Sequence, residues 1–325
     1  MDKVSRYQRR SEDSVRCMLC PHYCLLHPGE RGRCVGRQNN QGRLISSNYG
    51  QVAALALDPI EKKPLYHFHP GGQILSLGTT GCNFRCSFCQ NWEISQRETT
   101  TKYYDPEEIV VMAEGLSDCL GLAFTYSEPM IWYDFVYDTA MLAKNANLNN
   151  ILITNGFVNK KPLQRLLQCI DGVNLDIKAF SPDFYRKYCG GMLSAVLDSA
   201  IVIKEQCHLE ITYLIIPDLN DDADEITKFS YWVADNLGQE TPVHFTRYFP
   251  EFRLSLSPTP VETLWKAKEL AERVLEYVYL GNVADGSGTY CPECGRLVIT
   301  REGYRISSIL EDDKCPGCGR TIVYS

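Results

Sequence analysis

Cys82, Cys86 and Cys89 stand at C-x3-C-x2-C spacing in the run from Leu75 to Cys89. Three thiolates are one ligand short of the closed tetrahedral set of a structural zinc site, so the spacing points to a metal left open. Iron–sulfur cubanes are held by cysteine thiolates, usually four, and a cubane on three would keep one iron free. A free iron can bind S-adenosylmethionine (SAM) through its amino and carboxylate groups. One electron from the cluster can then cleave the sulfonium to a 5′-deoxyadenosyl radical. The plainer alternative is three buried core cysteines, which tight clustering beside glycines and polar residues disfavours. Gly78 and Gly81 let the backbone turn around a bulky group. Phe88, between the last two cysteines, suits packing against the cluster, an adenine ring or the core alike.

These groups need elements to position them, and the chain between residues 71 and 284 alternates strand and helix patterns. Expected strands are Ile74–Gly78, Gly121–Tyr126, Asn150–Thr154, Gly172–Lys178, Leu209–Pro217, Val243–Phe249 and Tyr277–Leu280. Expected helices are Pro106–Leu116, Met130–Ala146, Lys161–Ile170, Pro182–Tyr188, Ser194–Gln206, Asp222–Leu237 and Val261–Val274. Such alternation argues for an α/β fold with a parallel sheet, closed as a barrel or doubly wound. Reactive groups in barrels gather at the C-terminal strand ends. Polar motifs fall there: Thr125 to Pro129 with Glu128, Thr154 to Gly156 with Asn155, Asp176 with Lys178, and His244 to Tyr248. Asp176 and Lys178 share a face by period-two alternation, as a structural ion pair or a ligand site. Glu128 suits either a helix N-terminus or the ammonium of an amino-acid ligand. Of the six histidines, His22, His27, His67, His69, His208 and His244, none shows metal spacing. His22 lies inside a cysteine cluster, and His244 is expected at the shared site.

The chain has 15 cysteines, many for a reducing compartment, where cysteine pairs read as metal ligands or catalytic groups. Cys291, Cys294, Cys315 and Cys318 form two C-x2-C knuckles with the separation of a structural zinc site. Arg296–Thr300 and Tyr304–Ser308 are the expected strands between them. Cys17, Cys20, Cys24 and Cys34 supply four further thiols at C-x2-C-x3-C-x9-C spacing. Zinc and a second iron–sulfur cluster both accept that set. Cys119, Cys169, Cys189 and Cys207 fall in apolar or helical pattern and read as core.

Composition sets wide bounds. The 325 residues suffice for more than one domain. The net charge of -7 argues against nucleic acid. No apolar stretch reaches the ~18–20 residues of a membrane helix, and the polar segment Met1–Arg16 does not read as a secretory signal. A cytoplasmic location is expected. So are three domains: 1–70, an N-terminal cysteine-rich module; 71–284, the barrel; and 285–325, a four-cysteine ribbon.

The central triad, with aromatic Phe88 before its last cysteine, resembles the motif of the radical SAM superfamily. Thr125–Pro129, Thr154–Gly156 and Asp176–Lys178 are similar to the SAM-binding motifs of its pyruvate formate-lyase activating enzyme branch. Adding Cys17 to Cys34, Glu61 to Phe68, Gly281–Val283 and the terminal knuckles, the chain looks like the AmmeMemoRadiSam system radical SAM enzymes. The resemblance implies a partial (β/α)6 TIM-like barrel and a [4Fe-4S] cluster on Cys82, Cys86 and Cys89 with SAM on its free iron. It places Glu128 at the SAM amino group and Asn155, Asp176 and Lys178 around its ribose and carboxylate; Phe88, Thr125 and His244 are expected beside the cofactor from their positions in the triad and at the strand ends. It implies an anaerobic, oxidoreductase-type enzyme served by a one-electron reductant of the flavodoxin or ferredoxin type. The expected activity is hydrogen abstraction from a protein or peptide, including activation of a glycyl-radical enzyme. The alternatives are a small-molecule substrate, protein modification without a stable radical, and a non-enzymatic metal- or nucleic-acid-binding module. The sequence departs from the family at Tyr126-Ser127-Glu128, where many members carry Gly-Gly-Glu. Activating enzymes with ferredoxin-like inserts carry extra cysteines after the central motif. Here the extra clusters lie at the two ends, so their electron-relay role is not expected to transfer.

Overall fold

The computed structural model describes residues 3–11, 13–284 and 288–322. Residues 285–287 and 323–325 of the expected ribbon, and Met1, Asp2 and Glu12 of the N-terminal segment, lie outside them. Among the described residues no helix is long and apolar enough to cross a membrane.

The central element is an eight-stranded sheet: β1 (Ala54–Pro59), β2 (Gln73–Gly78), β3 (Cys119–Phe124), β4 (Asn149–Thr154), β5 (Gly172–Asp176), β6 (His208–Ile215), β7 (Val243–Arg247) and β8 (Val278–Gly281). Spatial order follows chain order throughout. β2 to β8 are all parallel, and β1 pairs antiparallel with β2. A doubly wound sheet would reverse direction from its first strand. Here six strand–helix pairs progress one way and end in a seventh parallel strand, which makes a partial (β/α)6 barrel. β1 belongs to this sheet although it precedes residue 71.

Local sequence explains the elements. The parallel strands read as apolar runs because both faces are covered; β5 buries Gly172, Val173, Asn174 and Leu175 in succession. The longer helices that follow the parallel strands are α1 (Pro106–Glu114), α2 (Tyr133–Asn145), α3 (Lys160–Leu166), α4 (Leu193–Lys204), α5 (Ala223–Leu237) and α6 (Val261–Ala271). α1 opens with a capping box between Asp105 and Glu108 and with Pro106 in its first turn. Asp222 caps α5 by accepting from the amides of Asp224 and Glu225. Leu77, Phe124, Leu152, Leu175, Ile211 and Phe245 meet inside one buried core.

Three expectations shift. The helix expected from Met130 begins as a 3-10 turn, Pro129–Trp132, because Glu128 caps that turn through the Met130 amide. The helix expected over Pro182–Tyr188 is one α-turn, Pro182–Phe184, running into a π-turn, Tyr185–Cys189. The widened turn offers the Tyr188 and Cys189 carbonyls to the amides of Ser87 and Arg85 on the central cysteine loop. Several strands also end two residues early, so Thr125, Tyr126 and Lys178 sit in loops just beyond the ladder.

Two small β-modules dock on this barrel. At the N-terminus, Gln8–Ser11, Ser14–Cys17 and Leu25–Leu26 form one three-stranded sheet. Lys3–Val4, Arg43–Ser46 and Arg37–Asn40 form another. Buried Arg37 pairs with buried Asp134 of α2 at 2.9 Å, and Arg6 reaches Asp134 and Asp138. At the C-terminus, Thr289–Tyr290, Leu297–Glu302 and Arg305–Ser308 make the ribbon. His67 Nδ1 bonds the Ile322 carbonyl at 2.5 Å, and Arg301 donates to the Tyr66 carbonyl at 2.8 Å.

Candidate active site

The loop after β2 carries Cys82, Cys86 and Cys89 over the C-terminal edge of the sheet. All three line a cavity of ≈ 1380 Å³ with Phe88, Thr125, Glu128, Asn155, Asp176, Lys178 and His244. Every cofactor-site residue expected from sequence therefore faces one space, though five different strands or their loops supply them.

The triad is held by its surroundings. Phe84 donates its amide to Cys82 Sγ at 3.4 Å, Asn155 Nδ2 approaches that sulfur at 3.7 Å, and Cys89 Sγ meets Ser95 Oγ at 3.1 Å. Contact with Cys189 and then burial push the Cys86 thiol well up; burial does the same to Cys82. Thiols this reluctant to ionise become thiolates when a bound metal cation supplies the compensating charge. Three sulfur donors on one glycine-hinged loop, opening into a large cavity, fit a cluster that presents one iron outwards. Cys189, assigned to the core from its apolar context, is buried there as expected and also touches the site through Cys86.

Glu128 is both a cap and a cavity wall. Its Oε1 accepts from Thr154 Oγ1 at 2.7 Å and from the Met130 amide at 2.9 Å; its Oε2 accepts from the Asn155 amide at 2.8 Å. A carboxylate accepts about four hydrogen bonds, so Oε2 keeps capacity toward the cavity. Burial pushes this carboxyl up to about 7 against those three donors. Lys178 Nζ pairs with Asp176 Oδ2 at 2.7 Å, on the shared face that alternation requires. Phe88 is buried against Phe184.

Tyr126 takes the left-handed conformation, φ 68°, that glycine adopts at no steric cost. Its hydroxyl donates to Asp58 Oδ2 at 2.7 Å, its carbonyl accepts from Asn91 Nδ2 at 2.7 Å, and Lys63 Nζ lies 4.6 Å from its ring centre. The glycine-like backbone path thus survives without glycine.

Sequence reasoning missed a second buried set. Glu210 on β6 accepts from the His67 amide at 2.7 Å and meets His208 Nε2 at 2.9 Å and His244 Nε2 at 2.6 Å. Against the opposing effect of burial, the two histidines hold its carboxyl well below the usual range. His244 is thereby anchored as it faces the cavity. The signal was available: Glu210 is an acid flanked by Leu209 and Ile211 in a strand, the pattern that drew attention to Asp176. Asn83, beside Cys82, was also missed. Its Oδ1 accepts from Asn155 and its Nδ2 donates to the Phe157 carbonyl.

Away from the cavity, Cys291, Cys294, Cys315 and Cys318 bring their sulfurs within 4.8 Å of one another, as a metal site requires. Cys291 and Cys318 stand 3.5 Å apart, as do Cys294 and Cys315.

A family model for the radical SAM superfamily matches residues 76–230. An uncharacterized protein of Methanocaldococcus jannaschii, MJ0808, is 44% identical over 333 residues, 99% of each chain. The pyruvate formate-lyase-activating enzyme of Listeria monocytogenes is 26% identical over 167 residues, 47% of this chain and 66% of that enzyme. The crystal structure of Streptococcus suis SuiB bound to S-adenosylmethionine superposes with a TM-score of 0.52 at 13% identity, over 69% of this chain and 53% of that one, a likeness of fold.

Proposed function

The chain belongs to the radical SAM superfamily, and on that premise we propose that it abstracts hydrogen from a protein or peptide substrate, using a [4Fe-4S] cluster on Cys82, Cys86 and Cys89. The observation that carries this reading is the convergence of the three thiols with Glu128, Asn155, Asp176 and Lys178 on one cavity. Its ≈ 1380 Å³ exceeds the ~300–1,000 Å³ of ordinary small-molecule pockets. That size accommodates SAM together with a substrate segment. When bound there, the cluster and SAM supply the reductive cleavage that yields a 5′-deoxyadenosyl radical.

The chain's own residues hold and shield the reactants. Glu128 Oε2 is placed to accept from the amino group of SAM, and a cation beside it favours the carboxylate. Asn155 and the Asp176–Lys178 pair offer donors and acceptors to a ribose and a carboxylate. Phe88 provides an apolar wall. His244, held by Glu210, lines the cavity from β7 together with Thr246 and Arg247 and offers a polar group to SAM or its substrate. The C-terminal four-cysteine set is read as a closed zinc site that builds the ribbon, with no open position for chemistry.

Glycyl-radical activation is the form of protein chemistry favoured by the likeness to pyruvate formate-lyase-activating enzyme. A reductant of the flavodoxin or ferredoxin type completes the reaction. The test is anaerobic incubation with SAM, dithionite and candidate partner proteins carrying deuterium at glycine. Deuterium should appear in 5′-deoxyadenosine together with an organic radical signal in the partner. Turnover that incorporates deuterium from a small molecule but from no protein would refute the protein-substrate reading.

A further inference from the structure

Cys17, Cys20, Cys24 and Cys34 lie far from the central triad in sequence and beside it in space. The hairpin that carries the first three closes through Cys17 N–H to the Cys24 carbonyl at 2.9 Å and Tyr23 N–H to the Cys20 carbonyl at 3.1 Å. All four cysteines line one cavity of ≈ 20 Å³, walled by Leu19, Met130 and Ile131 and by His22 and Asn83. Cys17 and Cys34 are buried, and Cys20 and Cys24 are half-buried.

The spread of the sulfurs distinguishes this set from the C-terminal one. Zinc holds four thiolates at about 2.3 Å, which sets them about 3.8 Å apart and leaves no room at the centre for anything water-sized. The C-terminal set has that spacing, with sulfurs 3.5 Å apart. Among the described residues it alone brings three or more such ligand atoms within 4.8 Å of one another. The N-terminal thiols instead surround a space of ≈ 20 Å³, and no three of them come within 4.8 Å of one another. The central triad is likewise spread beyond 4.8 Å. In this respect the N-terminal set matches the central set rather than the C-terminal one.

We propose that Cys17, Cys20, Cys24 and Cys34 bind a second [4Fe-4S] cluster, seated against the loop of Cys82. The contact is direct. A Cβ on Gly81 would overlap the Cys34 carbonyl oxygen, so the two backbones touch one residue from Cys82. Val35, next in the chain, holds the left-handed conformation, φ 59°, which a branched side chain adopts only when its surroundings enforce it. His22 Nε2 meets the Asn83 carbonyl at 2.8 Å, and its ring packs on Phe157 with centres 4.9 Å apart. The His22–Asn83–Cys82 path thus joins the two thiol sets.

The position suits electron transfer, a use that rests on the central cluster proposed above. A low-potential one-electron carrier loses one electron, which the N-terminal cluster gains and passes on to the central cluster. The N-terminal cluster returns to its starting state, and no bond or proton moves. The half-buried Cys20–Cys24 turn, with exposed Tyr23, is the side open to such a carrier.

Metal content tests the site independently of SAM chemistry. Anaerobically reconstituted full-length protein should hold about eight iron and eight sulfide per chain. A Cys20→Ser/Cys24→Ser variant should hold about half as much iron while its reduced central cluster still changes its EPR signal on adding SAM. In the wild type the dithionite-reduced spectrum should show the broadening of two interacting spins, absent from the variant. About four iron with two zinc per chain in the wild type, which needs no variant to fold, overturns the proposal. So does a double variant that keeps its full iron.

Discussion

Tyr126 concentrates the residue-scale chemistry. It occupies a position where glycine would cost nothing, and Asp58, Asn91 and Lys63 hold it there. Its phenol donates to Asp58, whose carboxyl is kept low by hydrogen bonds from Lys63, Tyr126 and Lys62 although burial alone would raise it. Tyr126→Phe should lower stability by about 1.5 kcal/mol, the low end for a hydrogen bond to a charged group. Equal melting temperatures for the two proteins would refute that anchor. Cys86→Ala removes one sulfur from the central triad. The variant should fold, with unchanged circular dichroism, yet lose the central cluster's iron and its share of the ~400 nm thiolate-to-iron absorbance. Full SAM cleavage by that variant would remove Cys86 from the ligand set. The cysteines, Glu128, Asp176 and Lys178 were legible because charged or thiol residues interrupt apolar patterns at strand ends. Tyr126's backbone conformation was not, since a positive φ leaves no mark in a side chain that ordinarily avoids it.

At the scale of elements, the strand–helix alternation revealed the sheet but not its edge. β1 escaped notice because Leu55 and Leu57 alternate with small residues over only six positions. The N-terminal strands are two to four residues long, too short for a periodic signal. The π-turn at Tyr185–Cys189 answers to the cysteine loop it binds, a long-range demand outside local propensity. His67 joins the barrel to the ribbon, and burial pushes it down to about 4. Its Nδ1–H donates to Ile322, and its Nε2 accepts from the Tyr279 hydroxyl at 2.6 Å. Between pH 6.5 and about 4 the unfolded chain therefore binds the extra proton. Stability from His67 is complete above pH 6.5 and is lost as pH falls through that window, by about 3 kcal/mol at about 1.4 kcal/mol per pKa unit. Denaturant unfolding should show a shallower acid loss in His67→Gln than in the wild type. Parallel pH profiles would show that His67 titrates normally.

At the scale of the molecule, two metal-type modules clasp one barrel, and their sequence positions mislead. Cysteines at the chain's start seemed remote from the central loop, yet Cys34 packs on Gly81. Sequence order argues against an electron-relay role; the relay proposed above rests on this spatial contact instead. The ribbon is tied to the barrel by Arg301, His67 and the Arg320–Glu276 ion pair. Structural metal sites contribute folding energy directly. Cys294→Ser should accordingly lose about one zinc per chain and expose the ribbon to limited proteolysis, with iron content unchanged. Loss of iron together with the zinc would show that the ribbon set is not a separate site. The central claim is that the open triad cleaves SAM, and the most direct measurement is 5′-deoxyadenosine released under anaerobic conditions by cluster-loaded protein given SAM and dithionite. The account predicts 5′-deoxyadenosine and methionine in equal amounts from the wild type, and none from a variant lacking Cys82, Cys86 and Cys89. No release from wild-type protein with a full cluster would contradict it.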